Sequence, residues 1–138
     1  MEFAQIFDRV EPDTIAPGPL DVSGLSGVWI NSNLQTNGIA RMVMSEANGK
    51  LSLQVFAIGR DGLIDWGVAE VKVYGSTPSS NVGAGFSCRF DFGFAETFLQ
   101  GMIMKGLLVL AELRTFKDDS KRSGYFVREY FALEHQKF

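Results

Sequence analysis

Three polar residues, Asp65, Tyr125 and Glu129, lie in strand-like segments where a polar group would face an apolar interior. Side chains alternate between the two faces of a strand, and this alternation places Tyr125 and Glu129 on one face of a predicted strand at 124–134. A carboxyl group removed from water has a raised pKa unless a cation pairs with it, so it can move a proton or orient a ligand. If the protein is an enzyme, we expect Glu129 or Asp65 to be its acid or base and Tyr125 its hydrogen-bond donor.

A structural ion pair is the alternative interpretation of these carboxylates. Arg41 would pair with Glu129 or Asp65, and loss of either partner would destabilise the fold. The direction of Asp65 also depends on Gly67. The alternation of the residues that follow turns Asp65 inward, whereas a bulge at Gly67 would turn Trp66 inward in its place.

The cysteine and the histidine restrict the remaining chemistry, because the chain has one of each. Cys88 lies among phenylalanines, where burial would leave an inert thiol, and His135 lies close to the C-terminus, where we expect it to be solvated. One cysteine cannot form an internal disulfide, and one cysteine with one histidine cannot form a Cys/His metal cluster. A single histidine near the C-terminus also argues against a Ser-His-Asp triad. We expect no metal site and no cofactor, since the sequence also lacks dinucleotide and P-loop motifs.

Composition narrows the class of protein. The chain has 138 residues, of which 46% are hydrophobic and 21% charged, as expected for one ordinary folded domain. Its net charge of −3 and its scattered Lys and Arg residues argue against nucleic-acid binding. Its apolar runs are far shorter than the roughly 20 residues of a membrane span, and its N-terminus lacks the features of a secretory signal. We therefore expect a cytoplasmic protein without a membrane span.

Turn-forming segments divide most of the chain into apolar runs. Strands are predicted at 25–32, 38–46, 51–58, 63–74, 84–94, 97–104, 107–116 and 124–134. Their short consecutive connections, of which Asn48-Gly49 is the clearest hairpin turn, favour an antiparallel meander. Closure into an all-β, eight-stranded up-and-down barrel would leave no exposed edge, and a sandwich of two four-stranded sheets is the alternative.

The N-terminal segment is predicted to differ from this barrel. Prolines at positions 12, 17 and 19 keep the chain extended or turned up to about residue 22, and the sequence permits a short helix at residues 3–9 before them. The expected organisation is therefore an N-terminal arm, 1–22, followed by a β-barrel domain, 23–138.

Alternation also predicts which side chains line the lumen. Phe86, Cys88 and Phe90 share one apolar face of their strand. In the strand at 107–116 the inward face is predicted to comprise Leu107, Val109, Ala111 and Leu113, against Glu112 and Arg114. Together with flexible methionines these faces give the expected ligand-binding residues: Arg41, Met42, Met44, Val55, Phe86, Cys88, Phe90, Met102, Met104 and Val109.

The segment Gly27-Val28-Trp29, at the first predicted strand, resembles the Gly-x-Trp motif of the lipocalins, which belong with the fatty-acid-binding proteins to the calycin group of barrels. The stretches GVWINSN, DWG, RFDFGF and SGYFVREYFALE are similar to small uncharacterised bacterial calycin-like proteins. The resemblance implies a barrel with Trp29 packed at its closed end, beneath an arginine of the last strand. Arg128 is the arginine that matches, and a guanidinium stacks favourably on an indole ring.

Three functions remain open at this stage. The first is binding of a small hydrophobic molecule in the lumen, by a carrier or sensor whose polar anchor is Asp65, Glu129 or Arg41. The second is a cyclase or isomerase of a natural-product pathway, because such catalysis can depend mainly on the shape of a cavity. The third is a structural or interaction protein with a packed lumen, in which Trp66 and the methionines form an outer homodimer contact.

Overall fold

The computed structural model describes residues 19–134, and in this range the chain forms β-strands and connecting turns. The strands are β1 Gly27–Asn31, β2 Ile39–Ala47, β3 Lys50–Gly59, β4 Gly62–Glu70, β5 Lys72–Gly75, β6 Gly83–Asp91, β7 Ala95–Met104, β8 Leu107–Phe116 and β9 Tyr125–Leu133. The range contains no helix that is long and apolar enough to cross a membrane. The helix predicted at residues 3–9 and His135 lie outside the described residues.

The strands form one antiparallel sheet in the order β4-β3-β2-β1-β9-β8-β7-β6-β5. The strands at the two ends of this order, β4 and β5, are consecutive in the chain and meet at Val71. The N–H of Val71 still donates to the carbonyl of Leu51 in β3, at 3.0 Å, whereas Lys72 already pairs with Ser87 in β6. The chain thus changes partner at Val71, and the sheet curls into a nearly closed barrel. The predicted all-β barrel is confirmed, with the strand expected at 63–74 divided in two.

A β-bulge at Gly67 sets the direction of the side chains before it. The pairing of β3 with β4 shifts register between Gln54 and Phe56, and Gly67 has a φ of +92°, a conformation that favours glycine. As a result Trp66 packs against the core, and Asp65 is exposed. The inward placement of Asp65 is therefore wrong, and the bulge alternative describes the strand.

The inward face of β8 is not the predicted one. The prediction placed Leu107, Val109, Ala111 and Leu113 in the lumen, but the opposite face of the strand points inward. Leu108, Leu110 and Glu112 are the buried residues of this strand. Residues directly opposite in an antiparallel pair share a face, and Leu110 lies opposite Glu129 of β9 while Leu108 lies opposite Phe131. Both faces of β8 begin with apolar residues, so the alternation within β8 does not show which face points inward. The pairing of β8 with β9 decides this.

The two methionine pairs lie on opposite faces of the sheet. Met42 and Met44 are buried in the core, whereas Met102 is 50% exposed and Met104 is 52% exposed. Met102 lies opposite Val109 on the outer face of the barrel. The prediction that Met102, Met104 and Val109 line the lumen is therefore wrong. Met102 and Met104 lie on the outer surface, where the third of the predicted functions placed methionines.

The end of the barrel at which β1 begins is closed by packed side chains. The indole Nε1 of Trp29 donates to the carbonyl of Leu25 at 2.9 Å, and both residues are buried. Arg128 is exposed, with its guanidinium 6.0 Å from the centre of the Phe126 ring, so it does not cover Trp29 as the resemblance implied. The core continues from this end through Met42, Met44, Leu51, Leu53, Val55, Phe86, Cys88, Phe90, Leu99, Leu108, Leu110 and Phe131.

Candidate ligand site at the open end of the barrel

The open end of the barrel carries a cavity of about 340 Å³, which we call the mouth pocket. Its lining is mostly apolar and consists of Ile64, Asp65, Trp66, Phe92, Phe94 and Arg114. Small-molecule sites in proteins are typically concave, have volumes upward of about 300 Å³ and combine aromatic walls with a few polar groups. The mouth pocket has this composition.

Three aromatic side chains form the wall of the mouth pocket. The ring centroid of Trp66 lies 5.0 Å from that of Phe92 and 5.5 Å from that of Phe90, both in edge-to-face contact. Phe94 lies 6.5 Å from Phe92, on the other side of a tight turn at Gly93 with a φ of +87°. The bulge in β4 and the turn between β6 and β7 thus bring these rings together.

Arg114 contributes a cation to the lining of the mouth pocket, and its side chain is held in place from several sides. Its Nε donates to the hydroxyl of Thr97 at 2.8 Å, and its guanidinium carbon lies 5.4 Å from the ring of Trp66 and 5.3 Å from that of Phe92. Tyr125 contributes a third ring at 5.9 Å. These contacts fix the guanidinium at the pocket, where 16% of the Arg114 side chain is exposed.

Glu112 is a nearly buried carboxyl group next to Arg114. Its Oε2 lies 3.6 Å from Nη2 of Arg114, and only 7% of its side chain is exposed. Burial raises the pKa of Glu112, the Arg114 guanidinium lowers it, the nearby Glu129 raises it again, and a hydrogen bond from the Tyr125 hydroxyl lowers it. Burial also raises the pKa of Tyr125, with a further increase from the charge of Glu112. The net effect is a pKa for Glu112 above the ordinary value of a glutamate.

Glu129 faces the interior, as predicted, and accepts hydrogen bonds from the last residue of β1 and from the loop that leads to β2. Its Oε2 accepts hydrogen bonds from the side-chain amide of Asn31, at 2.7 Å, and from the hydroxyl of Thr36, at 2.9 Å. The same amide nitrogen of Asn31 also donates to the carbonyl of Ile39 at 2.8 Å. Glu129 thereby fixes this loop to the barrel, a structural contribution that its predicted role as acid or base did not include.

Asp65 and Arg41, the other expected polar anchors, lie outside the lumen. Asp65 stands at the rim of the mouth pocket, where its two carboxylate oxygens accept hydrogen bonds from the Gln54 side chain, at 3.0 Å, and from the N–H of Gly67, at 2.8 Å. Arg41 is exposed, with its guanidinium 5.7 Å from the ring of Phe56. The expected ion pair of Arg41 with Glu129 or Asp65 is not among the salt bridges of residues 19–134.

The remaining expected ligand-binding residues belong to two other places. Met42, Met44, Val55, Phe86, Cys88 and Phe90 are packed in the core. Met102, Met104 and Val109 lie on the outer surface, where Met102 also borders a groove of about 370 Å³ together with Tyr74 and Phe98. We call this second cavity the outer groove.

Sequence reasoning missed Arg114 and Glu112 as interior residues because it assigned the opposite face of β8 to the lumen. A usable signal was present, since Thr97 and Arg114 are polar residues at matching positions of two consecutive strands and lie directly opposite each other. By alternation Phe92 continues the apolar face of Phe86, Cys88 and Phe90, but its position at the mouth depends on the turn that follows.

Comparison of the chain with protein-family models, with curated proteins and with solved structures found no match. The residues of the mouth pocket and their surroundings are thus the basis on which function is inferred.

Proposed function

We propose that the protein binds a small apolar molecule in the mouth pocket and acts as a carrier or sensor of that molecule. The observation that supports this proposal is the convergence of Trp66, Phe92 and Phe94 on one cavity beside the fixed guanidinium of Arg114. Phe94 is 46% exposed, so a ligand seated against it would remove aromatic surface from water. Burial of apolar surface gains about 25 cal/mol per Å².

The proposed site is the mouth of the barrel rather than a deep lumen. Side chains such as Phe86, Leu99 and Phe131 are fully buried and fill the interior toward the closed end. A calycin-like barrel is the family-level part of the proposal, and the nearly closed antiparallel sheet with Trp29 at its closed end supports it.

A cyclase or isomerase is the second candidate, because a buried carboxyl group lies next to the mouth pocket. Glu112, with a pKa raised by burial, would be its proton donor, and Tyr125 beside it would be its hydrogen-bond donor. In this version of the hypothesis Glu112 replaces Asp65, since Asp65 lies at the exposed rim.

Fluorescence titration with the neutral apolar probe N-phenyl-1-naphthylamine tests the proposed function. We expect saturable enhancement of probe fluorescence with the unmodified protein, and a large loss of affinity in Phe94→Ser, whose side chain is exposed enough for the fold to tolerate the change. Trp66→Ala, tested in parallel, should have the same effect from the opposite wall.

Met102→Ser is the matched control, since Met102 is exposed to a similar degree but borders the outer groove. This variant should bind the probe like the unmodified protein. Loss of binding in Met102→Ser with retention in Phe94→Ser would place the site on the outer surface and contradict the proposal, as would the absence of probe binding to the unmodified protein.

A further inference from the structure

The guanidinium of Arg114 has hydrogen-bonding capacity that no group of residues 19–134 takes up. Its Nε donates to the hydroxyl of Thr97, and among the described residues its Nη2 has only the 3.6 Å contact with Glu112. Within residues 19–134 the Nη1 group has no hydrogen-bond partner, and Arg114 lines the mouth pocket. Since a guanidinium matches a carboxylate through two parallel N–H donors, this edge of Arg114 is suited to a carboxylate that enters through the pocket.

Charge balance around Arg114 limits how such an anion can bind. Among the described residues, the inward-facing groups next to the Arg114 guanidinium include two carboxyls, those of Glu112 and Glu129. A further negative charge in this partly buried region would be repelled by both carboxylates and would share one cation with Glu112. Protonation of Glu112 removes one of these charges and releases Nη2 of Arg114 from its long ion pair.

We propose that the ligand is an apolar carboxylic acid whose carboxylate binds the Arg114 guanidinium, and that Glu112 takes up one proton as the acid binds. This proposal rests on the proposed function of the mouth pocket and specifies its ligand class. The balance is simple: the ligand arrives as its carboxylate, Glu112 changes from carboxylate to carboxylic acid by accepting a proton from water, and no covalent bond to carbon changes.

The groups that face Glu112 decide which residue takes up the proton. They are Arg114 on the same strand and Tyr125 and Glu129 on β9, whereas the residue opposite Glu112 on β7 is the apolar Leu99. Oε2 of Glu129 accepts two side-chain hydrogen bonds, from Asn31 and from Thr36. Within residues 19–134 Glu112 has one such donor, the hydroxyl of Tyr125, and it is the more buried of the two carboxyls, so burial disfavours its charged form more strongly.

Isothermal titration calorimetry with two matched probes, 1-naphthylacetic acid and its neutral amide 1-naphthylacetamide, tests this inference on the complete chain. Titrations at pH 7 in two buffers of different ionisation enthalpy give the number of protons taken up. We expect the acid to bind about tenfold more tightly than the amide or better, as a charge-assisted hydrogen-bond pair provides. Proton uptake should accompany the acid but not the amide, and the affinity for the acid should fall as the pH is raised.

Glu112→Gln separates binding of the carboxylate by Arg114 from proton uptake by Glu112. This variant should bind the acid at least as tightly as the unmodified protein, with no proton uptake and with a flat pH dependence between pH 6 and 8. Arg114→Gln should bind acid and amide equally, and Glu96→Gln, at an exposed ion pair on β7, should behave like the unmodified protein.

Each outcome assigns the failure to one proposal. Equal binding of acid and amide by the unmodified protein, or acid binding without proton uptake, would overturn this inference while leaving the proposed apolar site intact. If neither naphthyl probe nor N-phenyl-1-naphthylamine binds, the proposed function itself is contradicted.

Discussion

Glu112 and Arg114 lie two residues apart on the inward face of β8, with Oε2 and Nη2 at 3.6 Å and with only small parts of either side chain exposed. Ion pairs with good hydrogen-bond geometry have shorter separations, and this pair is supplemented on the Arg114 side by three aromatic rings and by Thr97. The carboxyl group receives less compensation for its burial than the guanidinium does. This asymmetry predicts how the stability of the protein responds to pH and to replacement of Glu112.

Replacement of Glu112 by Gln should raise the stability of the protein at pH 8. The folded-state pKa of Glu112 is raised above its ordinary value, so the stability that its neutral form contributes is fully present below the unfolded-state pKa and is lost as the pH rises through the folded-state pKa. Gln is neutral at both pH 4 and pH 8. The stability gained by Glu112→Gln at pH 8 should therefore shrink as the pH is lowered toward 4. Thermal unfolding of both proteins at the two pH values measures the difference.

Glu96→Gln is the control for this experiment, because Glu96 forms an exposed ion pair with Arg89 at 2.7 Å. Its loss should change the free energy of unfolding by at most about 1 kcal/mol. A lower melting temperature of Glu112→Gln at pH 8 than of the unmodified protein would mean that attraction to Arg114 outweighs the cost of burial.

Gly101→Ala should destabilise the barrel by roughly 1–3 kcal/mol, the usual cost of overpacking a core. Gly101 is buried in β7 opposite Phe86 of β6, and a Cβ at this position would overlap the Phe86 ring. Urea unfolding measures the change. Gly24→Ala, where a Cβ meets no heavy atom within 4 Å, should leave stability within about 0.5 kcal/mol. Equal effects of the two substitutions would disprove the packing explanation.

Cys88 should be almost unreactive toward a disulfide reagent such as Ellman's reagent while the protein is folded. Burial raises the pKa of this thiol to about 12, and the thiolate is the reactive form. At pH 8 the native protein should react on the order of a thousandfold more slowly than the protein unfolded in urea. Rapid reaction of the native protein would show that the face of β6 carrying Cys88 opens to solvent.

Trp29→Phe should cost about 1–3 kcal/mol, the penalty of leaving the buried carbonyl of Leu25 without its donor. Trp66→Phe is the comparison, since Trp66 is only half-buried and its indole nitrogen makes no hydrogen bond within residues 19–134. Calorimetric unfolding of the two variants should therefore rank Trp29→Phe as the less stable. The reverse ranking would contradict the role of this bond in closing the barrel.

The fold could be predicted from the sequence because its turns are marked by residues with specific backbone requirements. Asn48 and Gly49 both adopt positive φ in the turn between β2 and β3, and Gly67 marks the bulge that turns Trp66 inward. The division of one strand at Val71 could not be predicted, since a change of pairing partner depends on closure of the whole sheet and leaves no local sequence signal.

The candidate site was harder to predict than the fold. β8 begins with apolar residues on both faces, so its direction depends on the residues opposite it in β9, and the sequence alone does not give that register. Arg114 and Glu112 were consequently assigned to the outer face. Glu129 was correctly placed inward because Phe131 and Leu133 follow it in the same phase.

Mapping of amide chemical shifts by NMR during titration with N-phenyl-1-naphthylamine tests the proposed site most directly, because it locates the probe on the folded protein. We predict that the largest changes occur at Trp66, Phe92, Gly93 and Arg114, around the mouth pocket. Changes concentrated at Gly85, Phe98 and Met102 would instead place the ligand in the outer groove and contradict the proposed function.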